Sequence, residues 1–176
     1  KTEVSLLLAP TATSSIQSVA RTKDHLLVTV LDDVKSKVLR LTFKDGKWQQ
    51  TELALGQNAS IGVFNTEETD NLFHYTVTGF LTPATLAQGD ADTLTTTELR
   101  KSPSWFAESR FKVEQFKVKS ADGTLVPYFV VMAKDTKLDG KNPTLLYGYG
   151  GFEVSMQPAY SASIGMNWLS EGGVYV

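Results

Sequence analysis

The chain has 176 residues, 41% of them hydrophobic and 20% charged, and a formal net charge of −2 at pH 7. This composition is typical of a globular protein with enough apolar material for one or two cores, and it excludes disordered and fibrous classes. The slightly acidic balance and the scattered basic residues argue against a nucleic-acid partner, and no apolar run approaches the roughly 20 residues of a membrane-spanning helix. We therefore predict neither a nucleic-acid nor a membrane partner.

The sequence contains no cysteine. Disulfides, thiol nucleophiles and thiolate zinc sites are therefore excluded, whereas the compartment, cytoplasmic or periplasmic, stays open. The chain does not begin with methionine and shows no cleavable signal pattern near Lys1. These features suggest an internal piece of a longer protein.

The first hundred residues carry short apolar or alternating runs separated by turn signals, and this pattern predicts strands. Asp45-Gly46 predicts a tight hairpin turn between two of them. Strands spaced by roughly 8 to 12 residues indicate an all-β meander of about two propeller blades, although the spacing alone leaves a sandwich equally open. The predicted strands cover residues 4–8, 25–31, 38–43, 48–53, 61–64 and 72–77.

The composition changes in the polar stretch at residues 95–104, which is the predicted domain boundary. Beyond it, runs at 113–120 and 125–133 flank an Ala-Asp-Gly-Thr hairpin signal, and Pro127 indicates a strand start or edge. An apolar run at 144–147 ends in glycines, which predicts a buried strand opening into a loop.

A helix is predicted over residues 160–171, with Ile164, Trp168 and Leu169 near one face, before Gly172-Gly173 ends it and a further strand begins. Alternating strand and helix after the boundary indicate an αβ segment. In such sheets, sites form at the carboxyl ends of strands, so function is expected in the loop after residue 147.

That loop is Gly148-Tyr-Gly-Gly-Phe152. It lacks the Lys-Ser/Thr ending of a phosphate-binding loop, and Glu153 would repel a pyrophosphate. A glycine-rich loop after an early strand can instead form part of an oxyanion hole, and the Tyr149 hydroxyl is a suitable donor because it stays protonated at neutral pH. From the residues alone, a simple turn with packed tyrosines is the commoner outcome.

Other candidate residues carry weaker signals. The sequence has no Gly-x-Ser-x-Gly motif, and its two histidines, His25 and His74, lie within strand patterns and are expected to be ordinary strand residues. The acidic groups Asp32-Asp33 and 67–70 could bind calcium or act as acid and base, but their turn-like settings favour solvated loops. Neither histidine has a second histidine or a carboxylate at metal-ligand spacing, and no metal and no cofactor is predicted.

The run Leu145-Leu-Tyr-Gly-Tyr-Gly-Gly-Phe152, followed after a helix-sized gap by Gly172-Gly-Val-Tyr-Val176, resembles the start of the hydrolase domain of prolyl oligopeptidases. The segment 113–131 resembles the part that joins propeller and hydrolase domain in that family. Further upstream, 33–41 and 78–83 are similar to its last propeller blades. The resemblance thus covers essentially the whole chain, and most specifically residues 113 to 152.

This resemblance implies a mixed fold, with the last blades of an incomplete β-propeller in residues 1–103 and a truncated α/β-hydrolase start in 104–176. It implies a serine endopeptidase that cleaves short peptides after proline, with Tyr149 as oxyanion donor and Phe152 as a substrate-binding wall. The family's serine, aspartate and histidine would lie beyond Val176, so the chain alone is expected to be inactive.

Alternatives remain. An oligopeptidase B-like enzyme usually has Ser-Tyr where this chain has Gly151-Phe152, and an acyl-peptide-processing relative or a non-catalytic propeller module is also open. Glu153 stands where the family commonly has a small polar residue such as asparagine, which leaves the details of the loop unsettled. The incomplete sheets would leave strand edges unpaired, so self-association is expected.

Overall fold

The computed structural model describes residues 4–176. It is nearly all β, with three four-stranded sheets. The first two sheets contain β1 (Ser14–Arg21), β2 (His25–Asp32), β3 (Lys35–Lys44) and β4 (Lys47–Leu53), then β5 (Ala59–Phe64), β6 (Leu72–Gly79), β7 (Thr82–Asp90) and β8 (Thr96–Lys101).

These two sheets are antiparallel meanders in which each strand pairs with its neighbours in sequence. They pack face to face, with Leu27 and Val38 of the first sheet in one buried cluster with Phe73 and Tyr75 of the second. Because side chains alternate along a strand, every second residue reaches this shared core. Stacked four-stranded meanders are the arrangement of neighbouring propeller blades.

Five of the six strand predictions in this half are confirmed, and so is the hairpin turn at Asp45-Gly46, where both residues have positive φ. The strand predicted at 4–8 is wrong. Val4 and Leu6 are exposed and pair with no strand, and Leu8 packs onto the outer face of the first sheet. Three strands were not predicted, and one of them, β8, fills most of the polar stretch at 95–104.

The third sheet is mixed and has the order β11-β12-β10-β9. β9 and β10 form an antiparallel hairpin, whereas β11 and β12 run parallel. Pro127 lies inside β10 but at an edge, as predicted, because β12 pairs with β10 only at Val131. The strands are β9 (Phe111–Lys119), β10 (Leu125–Ala133), β11 (Thr144–Leu145) and β12 (Val174–Tyr175).

The helix predicted over 160–171 is shorter and irregular. It comprises α1 (Ala162–Ile164) and a π-helical turn (Gly165–Leu169). A Cβ at Gly165 would collide with the ring of Phe106, so the segment is pressed closely onto the chain before β9. The Ser170 N–H donates to the Gly165 carbonyl five residues back, at 3.0 Å. Among the described residues, no helix is long and apolar enough to cross a membrane.

The third sheet is fixed to the second through the turn between β6 and β7. Phe80 in this turn lies 5.1 Å from Phe129 and 6.2 Å from Tyr175, measured between ring centroids. Phe80 and Leu81 also pack on the buried cluster that contains Val131. The aromatic contact therefore sets the position of β10 and β12 relative to the blades.

A second connection involves Tyr160, just before α1. Its ring stacks on Phe106 at 5.3 Å, and its hydroxyl accepts the Trp105 N–H at 2.9 Å and donates to Glu108 at 2.8 Å. Burial acts to raise the pKa of Glu108, but hydrogen bonds from Ser104, from its own backbone and from Tyr160 outweigh it and hold the pKa below its usual value. Tyr160 thus ties the segment before β9 to the chain that leads into α1.

The core between the blades makes a steric prediction at Gly89 in β7, which pairs with Phe73 across the sheet. A Cβ at Gly89 would lie 2.6 Å from Phe73 Cε1. We expect Gly89→Ala to lower the free energy of unfolding by about 1–3 kcal/mol, as overpacked cores do. Gly62→Ala is the control, because its Cβ would meet Thr76 Oγ1 at 3.4 Å, an ordinary contact. Equal stability of the two variants in chemical denaturation would contradict this packing.

The Tyr160 connection predicts a pH dependence. A lowered pKa means that Glu108 contributes stability above its unfolded-state pKa and loses it as the pH falls through the folded-state value. Tyr160→Phe should therefore cost about 0.5–1.5 kcal/mol at pH 7, the usual value of one hydrogen bond, and less at about pH 3. Urea unfolding at both pH values measures this difference, and a loss independent of pH would show that Glu108 is not the partner.

Candidate functional site

A cavity of about 590 Å³ lies between the two blades and the third sheet. Its volume falls within the range of about 300–1,000 Å³ that is usual for small-molecule and cofactor pockets. The walls are mostly apolar and come from separate parts of the chain. They include Val34 and Phe80 from two blade turns, Pro127 to Phe129 from β10, Leu146 to Tyr149 from the loop after β11, and Met156, Ile164 and Tyr175.

Tyr149 reaches the cavity because β11 directs the loop towards it. The parallel pairing of β11 with β12 continues past Leu145, where the Tyr147 N–H donates to the Val176 carbonyl at 2.8 Å. Two residues later, Tyr149 is half-exposed in the cavity wall. The structure thus places the predicted oxyanion donor at the carboxyl end of a strand, with its side chain in an apolar cavity.

The glycines around Tyr149 differ in their surroundings. A Cβ at Gly151 would lie 3.3 Å from Tyr149 Oη and 3.4 Å from its Cζ, so the absence of a side chain at Gly151 makes room for the phenol. At Gly148 and Gly150, no described atom outside the neighbouring residues comes within 4 Å of an added Cβ. Of these three loop glycines, only Gly151 therefore has a steric role among the described residues.

Phe152, the second predicted site residue, follows directly. It is 93% exposed and does not line the cavity that contains Tyr149. Phe152 and Glu153 both have positive φ, in a turn closed by the Val154 N–H and the Gly151 carbonyl at 3.2 Å. The left-handed backbone directs the phenyl ring into solvent, so the structure does not bring the two predicted site residues into one cavity.

The apolar run at 144–147 is not a buried strand, which corrects the prediction. Leu146 is 77% and Tyr147 57% exposed, because β11 is an edge strand and the described chain covers little of its outer side. On the inner side of the sheet, burial raises the pKa of the Tyr175 phenol, and Tyr147 adds to the rise. The Tyr175 hydroxyl therefore remains a hydrogen-bond donor in the cavity wall at neutral pH.

The histidines lie in the blades, as predicted. His25 is buried and connects the two blades, with Nδ1 2.7 Å from Thr42 Oγ1 and Nε2 2.8 Å from Asp92 Oδ1. Hydrogen bonds with His25 and then with Asn71 hold the pKa of Asp92 below its usual value. His74 stacks on Phe64. Neither histidine is among the residues that line the cavity.

The acidic candidates lie at the end of β2, in the turn after it, and in the loop between β5 and β6. Asp32 pairs with Lys37 at 2.8 Å, and this contact, with a hydrogen bond from Thr13, lowers the pKa of Asp32. Asp33 reaches across to Lys117 of β9 at 2.7 Å. Among residues 4–176, histidine and acidic side chains form no cluster that could hold a metal ion.

Sequence reasoning missed Val34 and Phe80 as site residues. Both lie in turns between strands of the blades and enter the cavity only because the third sheet folds back against them. The available signal for these two residues was the resemblance of the segments 33–41 and 78–83 to the family's last propeller blades. That resemblance predicted blades but no cavity.

Comparisons with known proteins agree with this architecture. Residues 1–102 match the family described as the prolyl oligopeptidase N-terminal β-propeller domain. An uncharacterized peptidase of Sinorhizobium fredii is 40% identical over 176 residues, covering 99% of this chain and 24% of that protein. A prolyl endopeptidase of Elizabethkingia miricola is 34% identical over 151 residues, covering 86% of this chain and 21% of that protein.

Among solved structures, a post-proline cleaving enzyme from Rickettsia typhi matches with a TM-score of 0.78 and 32% identity, covering 99% of this chain and 25% of that one. The chain therefore spans about a quarter of the length of these relatives. The family match also decides between the two all-β alternatives in favour of the propeller. The stacked meanders are propeller blades, and the chain belongs to the prolyl oligopeptidase family.

Proposed function

We propose that this chain is part of a serine endopeptidase that hydrolyses short peptides on the carboxyl side of proline. The observation that carries the proposal is the position of Tyr149, at the end of a strand and in the wall of an apolar cavity beside the propeller blades. Relatives named prolyl endopeptidase and post-proline cleaving enzyme, at 34% and 32% identity, support it.

The proposed organisation assigns residues 1–103 to the last propeller blades and 104–176 to the start of an α/β-hydrolase domain. The mixed sheet supports the second assignment. Its strands β11 and β12 run parallel, and the glycine-rich loop comes directly after β11, as expected for an early strand of a hydrolase sheet. The serine, aspartate and histidine of the triad would follow Val176 in the longer protein. The chain alone is proposed to be inactive.

In the proposed mechanism, the serine hydroxyl oxygen attacks the carbonyl carbon of the proline residue while the histidine accepts the hydroxyl proton. The electron pair of the C=O bond moves onto oxygen, and the Tyr149 hydroxyl and a backbone N–H donate to that oxyanion. An apolar cavity strengthens such hydrogen bonds, because few competing waters surround the developing charge. Phe152 would contact the peptide beyond the proline.

The rival enzymes differ at the same loop. An oligopeptidase B-like specificity for basic residues would need acidic groups near the peptide, whereas the described cavity wall is apolar. A non-catalytic propeller module would lack the nucleophile altogether. The gene sequence after Val176 tests this: a Gly-x-Ser-x-Gly motif with later aspartate and histidine supports the peptidase, and the absence of that motif would reject it.

Substitution of Tyr149 tests the oxyanion role in the full-length enzyme. Tyr149→Phe removes only the hydroxyl, so kcat for a proline-containing reporter peptide should fall by about 10²–10³-fold with little change in KM. Tyr147→Phe, in the same cavity wall, is the control and should keep kcat. An unaltered kcat in Tyr149→Phe would reject the donor role.

Substitution of Phe152 tests the proposed contact with the peptide. Phe152→Ala should raise KM and leave stability unchanged, because the ring is almost fully exposed.

Self-association of the 176-residue chain is a separate expectation. Among the described residues, β11 is the edge strand of the third sheet, next to the exposed Leu146 and Tyr147, and such edges pair readily with another chain. Sedimentation velocity should show a weight-average mass that rises with concentration. A monomer throughout the concentration series would contradict this proposal.

A further inference from the structure

Two hairpin turns of the first blade share the same backbone conformation but have different residues at the second turn position. In the turn between β3 and β4, Asp45 and Gly46 have φ of 52° and 75°. In the turn between β2 and β3, Asp33 and Val34 have φ of 46° and 57°. Two positive φ values are characteristic of the type I′ turn, where glycine is favoured at the second position. A β-branched residue with positive φ is an outlier, and Val34 is one.

The strained turn is held by β9 of the third sheet. The Asp33 carboxylate lies 2.7 Å from Lys117 Nζ, and the Asp33 carbonyl accepts the Gln115 side-chain N–H at 2.7 Å. Both groups of Asp33 that face β9 are thus engaged. An unfavourable backbone conformation persists where surrounding contacts determine it, and such conformations cluster at ligand clamps and active sites.

We call the contacts of Asp33 with Lys117 and Gln115 the clamp. The turn that the clamp holds has Val34 in the wall of the cavity that also contains Tyr149. Val34 and Phe80 are the wall residues that the blades contribute, and the rest of the wall belongs to the third sheet and the chain after β11. Glycine at position 34 would satisfy the turn without strain but would leave this part of the wall open. The choice of valine is therefore explained by the cavity and not by the turn.

We propose that Val34 is a specificity-determining residue, supplied by the first blade, that contacts an apolar side chain of the peptide substrate. This inference rests on the proposed peptidase function. Asp33, Lys117 and Gln115 are positioning residues, since they touch Val34's turn and not the cavity in which the peptide would bind. Their role is to keep the valine methyl groups against the ligand while the blade and the third sheet remain in contact.

The test uses the full-length enzyme and pairs of reporter peptides with a fixed proline before the scissile bond. Each pair carries leucine or serine at one of four other positions, the two residues before the proline and the two after the scissile bond. The ratio of kcat/KM values, leucine over serine, measures the apolar preference. We expect a preference for leucine at one of these positions, and Val34→Gly should reduce it about tenfold, the order expected for lost apolar contacts in a pocket. Its thermal unfolding midpoint should not fall, because glycine relieves the positive φ.

A second set of variants separates the effect of the clamp on the leucine preference from an effect on general stability. Lys117→Gln removes the ion pair to β9 and should lower the leucine preference in the same direction, though less. Lys37→Gln is the matched control. It removes an ion pair of 2.8 Å with Asp32 that stays within the first blade, against 2.7 Å for Lys117 with Asp33, and the two lysines are 38% and 37% exposed. The preference of Lys37→Gln should equal that of the wild type.

The outcomes distinguish the two proposals. A wild-type enzyme that hydrolyses none of the peptides overturns the peptidase function and this inference with it. An active wild type without a leucine preference at any position, or a Val34→Gly enzyme with the wild-type preference, overturns the inference alone. If Val34→Gly does not fold, an unchanged preference in Lys117→Gln overturns it equally.

Discussion

The packing of Phe80 on Phe129 of β10 and Tyr175 of β12 is the contact on which the rest of the site depends. The third sheet has only a small core of its own, and its buried cluster is completed by Phe80 and Leu81 from the second blade. This aromatic contact fixes the distance between β10 and the second blade, and with it the width of the cavity beside Phe80. Dense packing of this kind transmits position, because aromatic rings in a core do not tolerate gradual displacement.

The blades therefore serve the site through their turns and not through their faces. Their faces are occupied by stacking, with Leu27 and Val38 against Phe73. Two of their turns contact the third sheet, through different kinds of interaction. Phe80 makes apolar contacts, whereas Asp33 forms an ion pair and accepts a hydrogen bond. An apolar contact is insensitive to salt, whereas a partly exposed ion pair is screened by it.

Sequence patterns predicted the strands whose own side chains fill a core, such as β2 and β6. They missed strands that lack such a pattern and form because they pair with a neighbouring strand. β1 and β8 are mostly exposed and polar, and β7 contains small residues because Gly89 must lie against Phe73. The helix was predicted too long, since the contact of Gly165 with Phe106 involves residues far apart in sequence. The same limit applies to the cavity: the loop motif pointed to Tyr149 as a candidate, but the positions of Val34 and Phe80 arise from tertiary packing.

Pro127 has a consequence for how the cavity can be used. It lies on the part of β10 that lines the cavity and that β12 leaves uncovered, while β9 pairs with β10 in unbroken register on the other side. Proline is accommodated in a sheet where its missing N–H faces away from a neighbouring strand. The open margin of β10 is thus a poor template for main-chain pairing. Under the proposed function, a peptide bound there would be recognised more through its side chains than by extending the sheet, which would limit the capture of any extended chain.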